Sequence, residues 1–165
     1  MNSKMIPVAV INPDAPPESL EAKQPAIDNG AEIYGKDGYF SLEQMEREWE
    51  KVWTESWLIA GVSSDLQAVG DYFLFRVRSE SIIVTRTEDG IKAFYNVCPH
   101  RGARLLTEER GNKKVFVCPF HSWSFRNSGE LRTITDEETF QEPVICHRPG
   151  LTPVACEEHA GLIFV

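Results

Sequence analysis

The chain has 165 residues, 42% of them hydrophobic, and a formal net charge of −8. That is enough for one domain with its own core, and the acidic balance excludes a general nucleic-acid or anionic-membrane binder, which needs a basic face. No apolar run approaches the roughly 20 residues of a membrane span. The opening MNSKMIPVAVINPDAPP has one lysine before an apolar run broken by Pro7 and Pro13, which is not a secretory pattern. A cytoplasmic location with reduced thiols is therefore expected.

In chain order, residues 1–38 carry five prolines (Pro7, Pro13, Pro16, Pro17, Pro25) and little hydrophobic period. They read as an extended arm or a disordered tail, not a packed unit. Order begins at FSLEQMEREWEKVWTESW, where Ser41 and Gln44 form a capping-box pair. Leu42, Met45, Trp49, Val52 and Trp53 then recur at spacings of three and four, the mark of one amphipathic helix whose stripe packs on a core.

The period then falls to two. WLIAGV, YFLFRVR, SIIVTRT and IKAFYNV are short, rich in β-branched and aromatic residues, and separated by turn signals. The EDG at 88–90 predicts a hairpin with Gly90 at positive φ. Further strands are expected at KVFVC, SWSF and LRTIT, with NSG at 127–129 as a turn. The closing AGLIFV reads as a strand with nothing to terminate it, so a fragment of a longer polypeptide is expected, with a C-terminal strand completing the sheet as the alternative. Mainly β structure, a small antiparallel sandwich or barrel, follows from this spacing.

The chemistry lies in CPHRGARLLTEERGNKKVFVCPFHSWSF, residues 98–125. It holds Cys98-x-His100, seventeen intervening residues, and Cys118-x-x-His121. Each pair follows an apolar β-like segment, and Pro99 or Pro119 stiffens its loop. In a reducing compartment such pairs are metal ligands before they are disulfides. A single tetrahedral zinc accepts two Cys and two His, but finger spacings put Cys with Cys and His with His. Interleaved pairs divide more naturally between two metal atoms. A Rieske [2Fe–2S] centre does this, with two thiolates on one iron and two imidazoles on the other. Two ferric ions, two sulfides and two thiolates sum to about zero charge, which eases reduction relative to a four-thiolate cluster.

Taken together, CPHRGARLL and CPFHSW resemble the Rieske motif of the α subunits of aromatic-ring-hydroxylating oxygenases. The likeness runs from about Tyr39 to Val165 through EREWEKVWTESWLIAG, VGDYFLFRV, AFYNVCPHRGARL and GLIFV. It implies a Rieske-type antiparallel β-sandwich or barrel over 39–165, with two tip loops in which Cys98, His100, Cys118 and His121 bind the cluster. It also implies a ferredoxin or reductase donor using NAD(P)H, and a mononuclear non-haem Fe(II) that hydroxylates an aromatic substrate with O₂. Neighbouring α subunits are implied as partners. A two-His, one-carboxylate iron site is not expected here. Once the four cluster ligands are set aside only His147 and His159 remain, so the catalytic domain is expected beyond residue 165. A stand-alone Rieske ferredoxin is the alternative, and a zinc-stabilised module a third reading.

High-potential Rieske proteins carry an extra Cys in each loop; here those neighbourhoods hold Arg101, Gly102 and Phe120. Many family members have Tyr before the second histidine and Gly after it, where this chain has Phe120 and Ser122. If that position needs positive φ, Ser122 costs about 1 kcal/mol relative to Gly. Cys146-His147 and Cys156-x-x-His159 lack a proline-stiffened loop and read as incidental. Leu105 and Trp123 read as a shield for the cluster or as ordinary core. Arg101, Arg104, Arg110, Lys113 and Lys114 outweigh Glu108 and Glu109, leaving residues 98–125 at net +3. They make either a docking face for an acidic partner or a solvated loop paired with carboxylates.

Overall fold

The computed structural model describes residues 35–141 and 150–165. Most of the proline-rich arm, and the Cys146-His147 pair, lie outside the described residues. The chain falls into two units, Met1–Met45 and Glu46–Val165, and the β structure belongs to the second.

After one short turn of helix, α1 (Asp37–Phe40), the Gln44 amide donates to the Ser41 hydroxyl at 3.1 Å and α2 (Leu42–Glu48) begins. The Ser41 half of the capping box is formed, while the Ser41 amide donates to the Asp37 carbonyl at 2.9 Å; the stripe is not buried. Residues Trp49–Trp53 form a π-helical turn in which the Thr54 amide donates to the Trp49 carbonyl at 3.2 Å. This wider winding takes residues four apart out of line. Val52 and Trp53 remain 48% and 47% exposed, so the expectation of a buried stripe is corrected. Trp49, Trp53 and Trp57 line an open groove of about 470 Å³ with Phe75, Tyr95 and Val165.

The central sheet has the order β5-β2-β3-β4-β9, formed by β2 (Asp71–Val77), β3 (Glu80–Thr87), β4 (Gly90–Tyr95), β5 (Arg110–Asn112) and β9 (Pro153–Val154). Gly90 at φ 121° opens β4 after the expected EDG turn. Two three-stranded sheets flank it. One is β6-β7-β8, from β6 (Val115–Val117), β7 (Ser124–Arg126) and β8 (Leu131–Thr133). The other is β1-β11-β10, from β1 (Ile59–Val62), β10 (Glu157–His159) and β11 (Leu162–Phe164). All pairings are antiparallel.

Register explains the layering. Leu74 pairs with Ile83, which pairs with Phe94; Phe73 pairs with Val84, which pairs with Ala93. Paired residues share a face, so the central sheet has two apolar faces. The Leu74 face packs with Phe116 and Phe125 of the β6-β7-β8 sheet. The Phe73 face packs with Leu66 and with Ile163 of β11. Burial on both faces is why SIIV is a continuous apolar run without alternation. Cys98, Cys118, Leu105, Leu106 and Trp123 all belong to the first of these cores. Among the described residues no helix is long and apolar enough to cross a membrane.

Candidate metal centre

Both Cys-His loops leave strands of apolar character. Loop 1 starts at Cys98, three residues after β4, and loop 2 at Cys118, directly after β6. Their backbones follow one frame. In loop 1 the Cys98 amide donates to the Ala103 carbonyl at 2.7 Å, and the Gly102 amide donates to the Cys98 carbonyl at 2.9 Å. In loop 2 the Cys118 amide donates to the Trp123 carbonyl at 2.8 Å, and the Ser122 amide donates to the Cys118 carbonyl at 3.0 Å. Equivalent positions take positive φ, 72° at Gly102 and 59° at Ser122. The strained serine raised by the sequence is therefore present.

The frame brings like to like. Cys98 and Cys118 are 1% and 2% exposed and lie in the same buried cluster. Burial pushes the Cys98 thiol up to about 11; the His100 backbone amide opposes this, and the Cys118 thiol adds to it. On the other side, the His100 and His121 rings meet edge to face with centroids 4.7 Å apart. Burial holds His100 below its usual value, with the His121 and Arg101 charges adding to the effect, which favours the neutral imidazole that metals bind.

The two imidazoles have unlike surroundings. The Trp123 indole stacks on His100 at 4.6 Å with 3° between planes, and Phe140 stands edge-on to both, 5.6 Å from His100 and 5.4 Å from Trp123. His121 lies under Phe120, centroid to centroid 3.9 Å, and Phe120 is 61% exposed. Leu105 and Trp123 are 5% and 1% exposed beside the thiols, so shield and core are the same residues. Phe140 was not singled out from the sequence; a lone phenylalanine seventeen residues after Trp123 carries no spacing signal.

The donor set fits an inorganic cluster. The Nδ1 atoms of His100 and His121 are buried without a hydrogen-bond partner. An unbonded buried nitrogen costs roughly 1–3 kcal/mol, which coordination to a metal removes. Among the described residues no three His, Cys, Asp or Glu side chains converge on a single ion position. Two thiols on one side and two imidazoles on the other suit two irons better than one tetrahedral zinc.

The other candidates do not join this group. His159 is exposed on β10, and burial pushes the half-buried Cys156 up to about 11. Of the cations around the loops, Arg110 pairs with Asp65 at 2.9 Å. Arg101 and Arg104 are exposed and carry no ion pair among the described residues.

Comparison with known proteins places residues 56–147 under the family model described as the Rieske [2Fe-2S] domain. The chain is 36% identical over 131 residues to the carnitine monooxygenase oxygenase subunit of Acinetobacter baumannii, covering 77% of this chain and 34% of that protein. It is 38% identical over 125 residues to the large oxygenase component of the naphthalene 1,2-dioxygenase system of Pseudomonas aeruginosa, covering 74% and 28%. A crystal structure of a quaternary ammonium Rieske monooxygenase superposes with a TM-score of 0.73 at 34% identity, over 79% of this chain and 36% of that one. Naphthalene 1,2-dioxygenase from Rhodococcus sp. superposes with a TM-score of 0.65 at 29% identity, over 74% and 28%. The chain thus spans about a third of the length of the relatives it matches.

Proposed function

The chain belongs to the Rieske [2Fe-2S] domain family, and from that premise we propose that it is the electron-relay domain of an oxygenase α subunit. It stands between a ferredoxin or reductase fed by NAD(P)H and a mononuclear non-haem iron that uses O₂ on an organic substrate. That iron belongs, in this reading, to the part of the relatives' length that this chain does not span. Relatives are named for carnitine, glycine betaine and naphthalene, so one scaffold serves both quaternary ammonium and aromatic chemistry.

Cys98 and Cys118 hold one iron through their thiolates in this reading, and His100 and His121 hold the other through Nδ1. When bound, the cluster accepts and passes on single electrons. The chain's own residues prepare for this. Burial holds the His100 imidazole in the neutral form that metals bind. Leu105 and Trp123 keep water from the sulfur side, and Phe140 with Trp123 fixes the plane of His100. Phe120, 61% exposed, offers a partner an open apolar side chain at the tip. Arg101 and Arg104, free of ion pairs among the described residues, support an acidic electron donor.

One observation carries the reading: a buried thiol pair beside two imidazoles whose buried Nδ1 atoms bond nothing. The test is spectroscopic. The purified chain should be red-brown, contain acid-labile sulfide, bleach with dithionite and then give a rhombic EPR signal. Cys98→Ser or His121→Ala should eliminate that absorption, and Cys156→Ser should leave it unchanged. Full cluster in either of the first two variants sinks the ligand assignment, and a colourless zinc protein sinks the cluster.

A further inference from the structure

Loop 1 has a weaker frame than loop 2. Val117 pairs with Ser124 in the β6–β7 ladder, so strand pairing closes loop 2 on both sides. Loop 1 leaves β4 at Tyr95 and reaches β5 only at Arg110, with no strand along its return limb. Beyond the two backbone hydrogen bonds of its own turn, one side chain ties its outgoing limb to its return limb. Asn96 is 1% exposed. Its Nδ2 donates to the Leu106 carbonyl at 2.7 Å and to the Ser81 hydroxyl at 3.2 Å. Its Oδ1 accepts the Leu105 amide at 3.1 Å and the Leu106 amide at 2.9 Å. The Asn96 backbone amide also donates to the Ser81 carbonyl at 2.8 Å.

A primary amide offers two N–H donors and one oxygen with two lone pairs, and every one is used. The outgoing limb, two residues before Cys98, is thereby clasped to the return limb and to β3. We propose that Asn96 is a positioning residue that holds Cys98 and His100 in metal-binding geometry before any cluster is present. This rests on the cluster reading above. No other side chain of this size does the same work. Aspartate keeps the shape, but its carboxylate has no donor for the Leu106 carbonyl and faces it with a charge. An aliphatic residue leaves two amides and a carbonyl buried without partners. The Leu105 and Leu106 side chains lie in the same core as Cys98 and Cys118, so slack in the clasp reaches the thiols directly.

The test compares the cluster-loaded chain with Asn96→Asp. The variant should keep its far-UV circular dichroism, lose its visible absorption to an iron chelator about tenfold faster, and show a shifted or broadened rhombic EPR signal. A merely structural role would not move the EPR line shape. Chelator kinetics and g-values equal to wild type in a folded variant overturn the proposal. Should the variant not fold, amide exchange in the wild-type apo chain decides. Protection of the Leu105 and Leu106 amides without metal supports the clasp, and exchange at free-loop rates overturns it. A wild-type chain lacking acid-labile sulfide would sink the cluster reading instead, a separate outcome.

Discussion

The two loops are one backbone device used twice. Cys98–Ala103 and Cys118–Trp123 share both closing hydrogen bonds and a positive φ at the fifth residue. The histidine sits at the third residue of the first loop and the fourth of the second. Because the turn is the same, that one-step offset sends the two imidazoles to meet each other while the cysteines, at the first position of each loop, also meet. The unequal spacings, Cys-x-His and Cys-x-x-His, are therefore two exits from a common turn. What differs is support. Loop 2 is carried by a strand ladder and loop 1 by Asn96. His100 is held between aromatic rings, and His121 lies under an exposed one. Backbone makes the site, and side chains make its halves unequal.

The largest way to break that inequality is at Trp123. Its indole is 1% exposed, touches both His100 and Phe140, and fills the core beside the thiols. Trp123→Ala should cost about 3–5 kcal/mol through the cavity it leaves, read as a lower urea midpoint of the apo chain. Phe120→Ala, at an exposed ring, should stay within about 0.5 kcal/mol of wild type. Equal losses in the two variants would mean that the aromatic environments of His100 and His121 are not as different as the geometry makes them.

How much of this was legible from residues alone follows the same division. The strands rich in β-branched and aromatic residues, β2, β3 and β4 above all, were readable because burial demands those side chains. β5 (RGN), β9 (PV) and β10 (EEH) were not. All three are sheet edges, held by backbone bonds that leave no hydrophobic pattern. The four proposed cluster ligands stand out in the sequence through their proline-stiffened Cys-His spacing. Their surroundings do not: Phe140 arrives from a distant segment, and Asn96 looks like any polar residue at a strand end. The tryptophan stripe misled: Leu42 and Met45, in the regular helix, are 67% and 43% exposed, as open as Val52 and Trp53 in the π-helical turn.

A smaller test sharpens the backbone half of the comparison. Gly102 stands at φ 72°, and a Cβ built there meets nothing within 4 Å. Gly102→Ala therefore probes conformation without steric conflict. It should cost about 0.5–1 kcal/mol: the left-handed penalty of about 1–2 kcal/mol less the freedom that alanine removes from the unfolded chain. A neutral result by urea unfolding would mean that the turn relaxes and that the common frame is softer than its hydrogen bonds imply.

The smallest effect runs the opposite way and completes the cycle. Ser122 already bears the strain that alanine would bring to loop 1, at φ 59°. Its side chain is exposed and has no hydrogen bond among the described residues. Ser122→Gly removes a left-handed penalty of about 1–2 kcal/mol. It also gives the unfolded chain the extra freedom of glycine, worth about 0.5–1 kcal/mol. The relief is the larger of the two, so the apo chain should gain about 0.5 kcal/mol, seen as a small rise in urea midpoint. A loss instead would show that the serine hydroxyl supports the turn in solution. The two loops would then owe their common shape to different chemistry: glycine's freedom in one, and a side-chain bond in the other.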